Sequence, residues 1–149
     1  MKNVIVFALG GARYAIELRW VREVIALGHI TPLPMGPAVV SGVVNFHGAI
    51  VPVLELAELI PEAPPETRPA RVGDGAVLIE VEGTRAALRI DIVHSVSTLA
   101  PAGGGALLDP RGRAVPLLEP PALLAAALAA TQARGAELAA ELAARETGR

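Results

Sequence analysis

From residue 4 to residue 118 the chain is cut into short apolar runs by turns, most of which carry glycine. A sequence punctuated this way folds as a succession of β-hairpins. Val4-Ile5-Val6-Phe7-Ala8-Leu9 runs into Gly10-Gly11 and continues as Ala12-Arg13-Tyr14-Ala15-Ile16-Glu17-Leu18. Glycine tolerates the positive φ that a two-residue hairpin turn requires. In the returning run Tyr14, Ile16 and Leu18 share one face, while Arg13 and Glu17 share the other. A second hairpin is predicted from residues 39–44 and 49–54 around the turn Asn45-Phe46-His47-Gly48. A third is predicted from 76–81 and 84–90 around Glu82-Gly83. A shorter fourth joins Leu107-Leu108 to 113–118 through Asp109-Pro110-Arg111-Gly112.

The connections have their own pattern. In residues 19–25, Val21, Val24 and Ile25 have helical spacing and predict a short helix. Residues 91–99, with Val93 and Val96, parallel that segment. Pro32, Pro34 and Pro37 force an extended passage, because proline cannot donate to a ladder. Residues 57–60 predict one helical turn, and the polar, proline-rich stretch 61–75 is a surface linker.

The run Ile50-Val51-Pro52-Val53-Leu54-Glu55 resembles Ala114-Val115-Pro116-Leu117-Leu118-Glu119, each behind a turn ending in glycine. The chain therefore reads as two half-chains of like design, residues 1–60 and 76–125, offset by roughly 64–72 residues. Small hairpin-rich units avoid raw edges by closing on themselves. The expected fold is mainly β, with two small β-barrels packed together, short connector helices and a C-terminal α-helix. That helix, residues 121–147, is alanine-rich, with Leu124 and Leu128, then Leu138 and Leu142, four apart. Gly135 is its expected weak point, and the leucine stripe is expected to dock on the chain's own domain.

Composition narrows the function. At 149 residues the chain can bury the core of one self-sufficient unit. A formal net charge of -2, with mixed signs, lacks the basic footprint of a nucleic-acid binder. Two Phe, one Trp and one Tyr leave little for base stacking or an aromatic ligand pocket. No apolar run reaches the ~20 residues of a membrane span, and the start lacks the pattern of a signal peptide. The expectation is a cytoplasmic protein without membrane insertion that binds other proteins.

Chemistry is hard to find in this sequence. His29, His47 and His94 are far apart and show no metal-ligand spacing, and there is no Cys. Ser41, Ser95 and Ser97 lack a nucleophile elbow. Gly103-Gly104-Gly105 is no phosphate cradle, since no Lys-Ser/Thr pair follows it, and reads as a flexible loop. Glu55 and Glu119 hold equivalent places in the two copies and could be imagined as an acid/base pair, but strand-end acids in a repeat are usually structural or solvated. No enzyme, metal or cofactor is expected.

Several pieces taken in order resemble the CheW-like chemotaxis coupling proteins. They are residues 4–10 with Tyr14-Ala15-Ile16, Val21-Arg22-Glu23-Val24-Ile25, Ile30-Thr31-Pro32-Leu33-Pro34, and the run from Gly42 through Asn45, Gly48 and Pro52 to Leu56. Asp91, Val93, Val96 and the closing Arg111-Gly112-Arg113-Ala114-Val115-Pro116-Leu117-Leu118 extend the likeness across residues 4–125. The resemblance implies two five-stranded SH3-like barrels in a non-enzymatic adaptor. It implies as partners the regulatory domain of a CheA-type histidine kinase and the cytoplasmic tip of a methyl-accepting chemoreceptor. Matched by position, Val21, Glu23 and the turn Asn45, Phe46, His47 and Gly48 fall where the family contacts kinase or receptor. The alternative is a divergent scaffold for another protein in a motility or regulatory pathway. Two departures bear on this. His47 stands where the family usually has arginine, and histidine is shorter and mostly neutral above pH ~6.5. The stretch between Leu99 and Leu107 is short enough to suggest a missing strand and a trimmed second barrel.

Overall fold

The computed structural model describes residues 1–65 and 68–147. Glu66 and Thr67, inside the expected linker, lie outside the described residues. The first hairpin is β1 (Lys2–Leu9) and β2 (Ala12–Glu17), turning through Gly10 and Gly11 at φ 59° and 82°. A 3-10 turn at Leu18–Trp20 leads to β3 (Val21–Ala26), and β4 (Ile30–Thr31) follows. The second hairpin is β5 (Val40–Phe46) and β6 (Ala49–Leu54), then the single turn α1 (Leu56–Leu59). The third is β7 (Gly75–Val81) and β8 (Thr84–Ile90). After it come β9 (Ile92–Gly103), β10 (Ala106–Leu108), β11 (Ala114–Pro116) and the helix α2 (Pro120–Thr147).

Both expected connector helices are strands. Val21, Val24 and Ile25 also suit a strand, because β-branched side chains pack well on a pleated surface and are stiff in a helix. β3 pairs antiparallel with β7, from Val21 opposite Ile79 to Ala26 opposite Gly75. Likewise β9 pairs with β1, from Lys2 opposite Leu99 to Ala8 opposite Ile92. In both places a ladder of backbone hydrogen bonds to a buried strand outweighed local spacing. The missing strand is also accounted for. β9 runs on to Gly103, and Gly104 and Gly105, both at positive φ, turn it directly into β10. The triple glycine is thus a tight turn rather than a loose loop.

Two sheets result, ordered β11-β10-β9-β1-β2 and β3-β7-β8-β6-β5-β4. Neither is built from one half of the chain. The first hairpin (β1, β2) pairs with β9 of the second half, and the third hairpin (β7, β8) pairs with β3 of the first. The halves 1–60 and 76–125 therefore interlock by exchanging their leading hairpins. The exchange extends to two parallel contacts. β6 meets β8 at Val53–Ala87 and Leu54–Leu88, and the run after β11 meets β2 at Leu117–Ala15. Leu118 N–H donates to Ala15 O at 2.8 Å, so the two ends of the five-stranded order touch.

Three apolar clusters fill the molecule. Val4, Val6, Ala15, Leu99, Leu107 and Val115 form one inside the five-stranded sheet. Leu27, Val44, Val51, Val53, Ala76, Leu78 and Ala87 form another, to which β3 and β4 add Ile25 and Ile30. The largest lies between the sheets and includes Ile5, Phe7, Val77, Ile79 and Leu88. Along β1 alternate residues enter different clusters, with Val4 and Val6 on one side and Ile5 and Phe7 on the other. A strand covered on both faces needs an unbroken apolar run, which is how residues 4–9 read. Leu123 and Ala127 dock the start of α2 on the middle cluster, but Leu128 and Leu142 remain 59% exposed. Of the expected stripe Leu124 packs against the same cluster, and farther along Arg134 Nε donates to Met35 O at 3.1 Å. Gly135 does not interrupt the helix.

One ionic network is buried among these apolar layers. Arg89, 4% exposed in its side chain, meets Glu55 at 3.0 Å and Asp74 at 3.2 Å. Arg68 grips Asp74 through both guanidinium nitrogens at 2.9 and 2.8 Å. Glu55 is therefore a structural acid, while Glu119, its counterpart in the repeat, is exposed.

Candidate partner-binding surface

The six residues matched to partner contacts lie on two separate elements of the six-stranded sheet. Val21 and Glu23 belong to β3, which forms one edge, and β7, β8 and β6 separate it from β5. Val21 is half-buried and packs against the cluster between the sheets, so its methyls support the core. Glu23 is exposed. Its neighbour Arg22 pairs with Glu80 at 3.3 Å. Glu80 also accepts a hydrogen bond from Arg85 at 2.9 Å, which holds its pKa below the usual carboxylate range with help from Arg22. Arg22 is thus neutralised from β7, and Glu23 makes no salt bridge among the described residues. The edge of β3 therefore presents an uncompensated negative charge beside Val24, itself 47% exposed.

Asn45, Phe46, His47 and Gly48 form the tip of the second hairpin. The expected four-residue turn is tighter than its sequence suggests, because β5 continues through Phe46, which pairs with Ala49. His47 and Gly48 alone make the turn, at φ 49° and 85°. Two successive left-handed residues give the twist that antiparallel strands need. Asn45 Oδ1 accepts the Gly48 N–H at 2.9 Å and fixes the tip. Phe46 packs against the cluster of the six-stranded sheet, and the His47 ring meets it edge-on at 4.3 Å. That contact orients an otherwise exposed imidazole. Ile50, opposite Asn45, is 67% exposed and extends the tip as an apolar contact.

His29, His47 and His94 are all exposed. Among the described residues no group of three or more His, Asp or Glu could hold a metal ion. No described helix is long and apolar enough to cross a membrane. Sequence reasoning missed the exposed apolar residues of β9, Ile92 and Val96, at 60% and 65% exposure. Placing 91–99 in a helix hid them, since as β9 the segment pairs with β1 along its length.

Comparison with known proteins decides the family. A family model described as the CheW-like domain matches residues 3–128. The chain belongs to the CheW-like family. It is 30% identical over 96 residues to the chemotaxis protein CheW of Treponema pallidum (strain Nichols), covering 63% of this chain and 56% of that protein. To the chemotaxis protein CheW of Rhizobium meliloti (strain 1021) it is 25% identical over 99 residues, covering 66% and 62%. The matched region thus spans somewhat under two thirds of either relative's length. The crystal structure of the scaffolding protein TtCheW from Thermoanaerobacter tengcongensis superposes with a TM-score of 0.66 at 22% identity, over 79% of this chain and 88% of that one. That likeness agrees with the mainly β fold and its two packed sheets. The CheW-like match ends at residue 128, so the outer part of α2 extends beyond it.

Proposed function

We propose that this chain is a non-enzymatic adaptor of a chemotaxis-type pathway, coupling chemoreceptors to a CheA-type histidine kinase in the cytoplasm. The CheW-like match over residues 3–128 carries this reading. The partners are the kinase's regulatory domain and the cytoplasmic tip of a methyl-accepting receptor. Each sheet curls into a small barrel, one from β9–β11 with β1 and β2, the other from β3–β8. Their outer surfaces meet the partners. Glu23 and the β5–β6 tip, Asn45 to Gly48, are the contacts. Val21 fixes the height of the β3 edge from below. Such an adaptor transmits a signal by binding receptor and kinase together and favouring one arrangement of the pair, so its effect is a coupling free energy.

Purified chain mixed with a kinase regulatory domain and with a receptor cytoplasmic fragment tests the proposal by calorimetry. Saturable binding to both, weakened by Glu23→Lys, supports it. Binding to neither removes it. His47→Arg supplies the family's usual donor fork and should tighten kinase binding without altering the melting temperature.

A further inference from the structure

The five-stranded sheet carries a cationic groove that the coupling surface leaves unused. β2 and β11 stand at the two ends of the strand order and come together at Ala15, which bridges to Leu117 and accepts the Leu118 N–H. Beyond that contact they border a cleft of about 330 Å³, with Arg13 on the β2 side and Arg113 next to β11. A second cleft of about 170 Å³ opens over Val6, Leu99 and Val115, beside Ser95, Ser97 and Arg111. Arg13, Asp109 and Val115 line both, so the two clefts form one elongated groove.

The charges that line this groove are mainly cationic. Arg19, Arg22, Arg68, Arg85, Arg89 and Arg134 each face a carboxylate. Arg13, Arg111 and Arg113 form no salt bridge among the described residues, and all three are exposed. The carboxylate that lines the groove is occupied. Asp109 Oδ1 accepts the Arg111 and Arg113 amides, each at 2.8 Å. Those bonds, that of Arg113 first, hold its pKa low. Asp109 therefore acts as the clasp of the turn that projects Arg111 and Arg113. In a chain of net charge -2, three guanidiniums here outnumber one carboxylate, whose charge is shared by Arg113 and Arg13.

We propose that this groove takes an extended acidic segment of a partner protein. Carboxylates of the segment pair with Arg13, Arg111 and Arg113, and apolar side chains between them rest on Val6, Leu99 and Val115. Two features favour a peptide over a lone anion. The groove extends over two adjoining clefts, and its floor is apolar. Guanidinium forks match carboxylates in paired hydrogen bonds.

The test is an isotope-labelled sample of the full chain titrated with a blocked hexapeptide alternating Glu and Val. Amide shifts should be confined to residues 11–14, 94–99 and 109–116. Affinity should fall by about tenfold in the Arg13→Ala, Arg111→Ala, Arg113→Ala triple variant, because three exposed pairs each contribute modestly. It should also fall as salt rises, since exposed charges are screened. The three side chains are exposed, so the melting temperature should hold, and Arg13→Lys should retain part of the affinity. The proposal is overturned if shifts fall elsewhere, if the triple variant binds as tightly, or if a Lys-Val peptide binds equally well. Inorganic phosphate producing the same shifts while the peptide does not would also overturn it, marking a simple anion site.

Discussion

Replacing Asp74 by Asn removes the carboxylate at the centre of the buried ionic network while keeping its shape. The side chain is 11% exposed, and its pKa drops from 3.8 to about 2. The hydrogen bond from Arg68 is the largest cause, joined by the Arg71 amide and the charge of Arg89, against an opposing push from burial. A tenfold change in acidity corresponds to about 1.4 kcal/mol, so ionisation of this group contributes about 2 kcal/mol to folding. The sign follows from a folded pKa lying below the unfolded one. The contribution is complete above the unfolded value near 3.9, declines as pH falls towards about 2, and is absent below it. In Asp74→Asn, Arg68 and Arg89 also lose a charged partner, so neutral-pH stability should fall by at least about 2 kcal/mol. Urea unfolding of both proteins at pH 7, 4, 3 and 2.5 measures this. The difference between them should be largest at pH 7 and shrink on the acid side. A difference that stays constant between pH 7 and 2.5, or a variant as stable as the parent at pH 7, would refute the assignment of that charge to the fold.

Other consequences are equally direct. Leu88 is fully buried between the sheets, so Leu88→Ala should cost about 2–5 kcal/mol in chemical denaturation. Gly48 turns the β5–β6 tip at φ 85°, with no atom within 4 Å of a Cβ placed there. Gly48→Ala should therefore lower stability by about 1 kcal/mol through backbone strain alone, with the sheet intact by circular dichroism. Ending the chain after residue 131 keeps Leu123 and Ala127 in the core and should leave the melting temperature nearly unchanged. Ending it after residue 118 removes them and should lower it by several degrees, read by calorimetry.

The hairpins were legible because each is local. Its apolar runs and glycine turn lie within twenty residues, and the positive φ at Gly10, Gly11, Gly83 and Gly48 is what those turns demand. The continuous run of residues 4–9 also carried the sign of a strand buried on both faces. Pairing between distant elements was not legible. Val21, Val24 and Ile25 suit either period, and only β7, more than fifty residues away, makes them a strand. Glu55 looked like its repeat counterpart Glu119 until Arg89, from β8, settled its role. At the candidate surface the sequence supplied the tip of the second hairpin, whose turn is self-contained. It could not supply the exposure of Ile92 and Val96, which depends on what the opposite sheet leaves uncovered. The same holds for the convergence of Arg13 with Arg111 and Arg113, contributed by opposite ends of the β domain.

The exchange of leading hairpins between the halves also sets the order of events during synthesis. The first hairpin leaves the ribosome with both faces of β1 apolar, yet β9, its outer neighbour, begins at Ile92. Some eighty residues must be translated before that strand can be capped. Contacts of such long sequence separation make folding slow, and a nascent chain stalled before Ile92 carries its first hairpin as an unsheltered apolar ribbon. Neither half severed from the other can complete a sheet of its own, so the molecule stands or falls as a single cooperative unit.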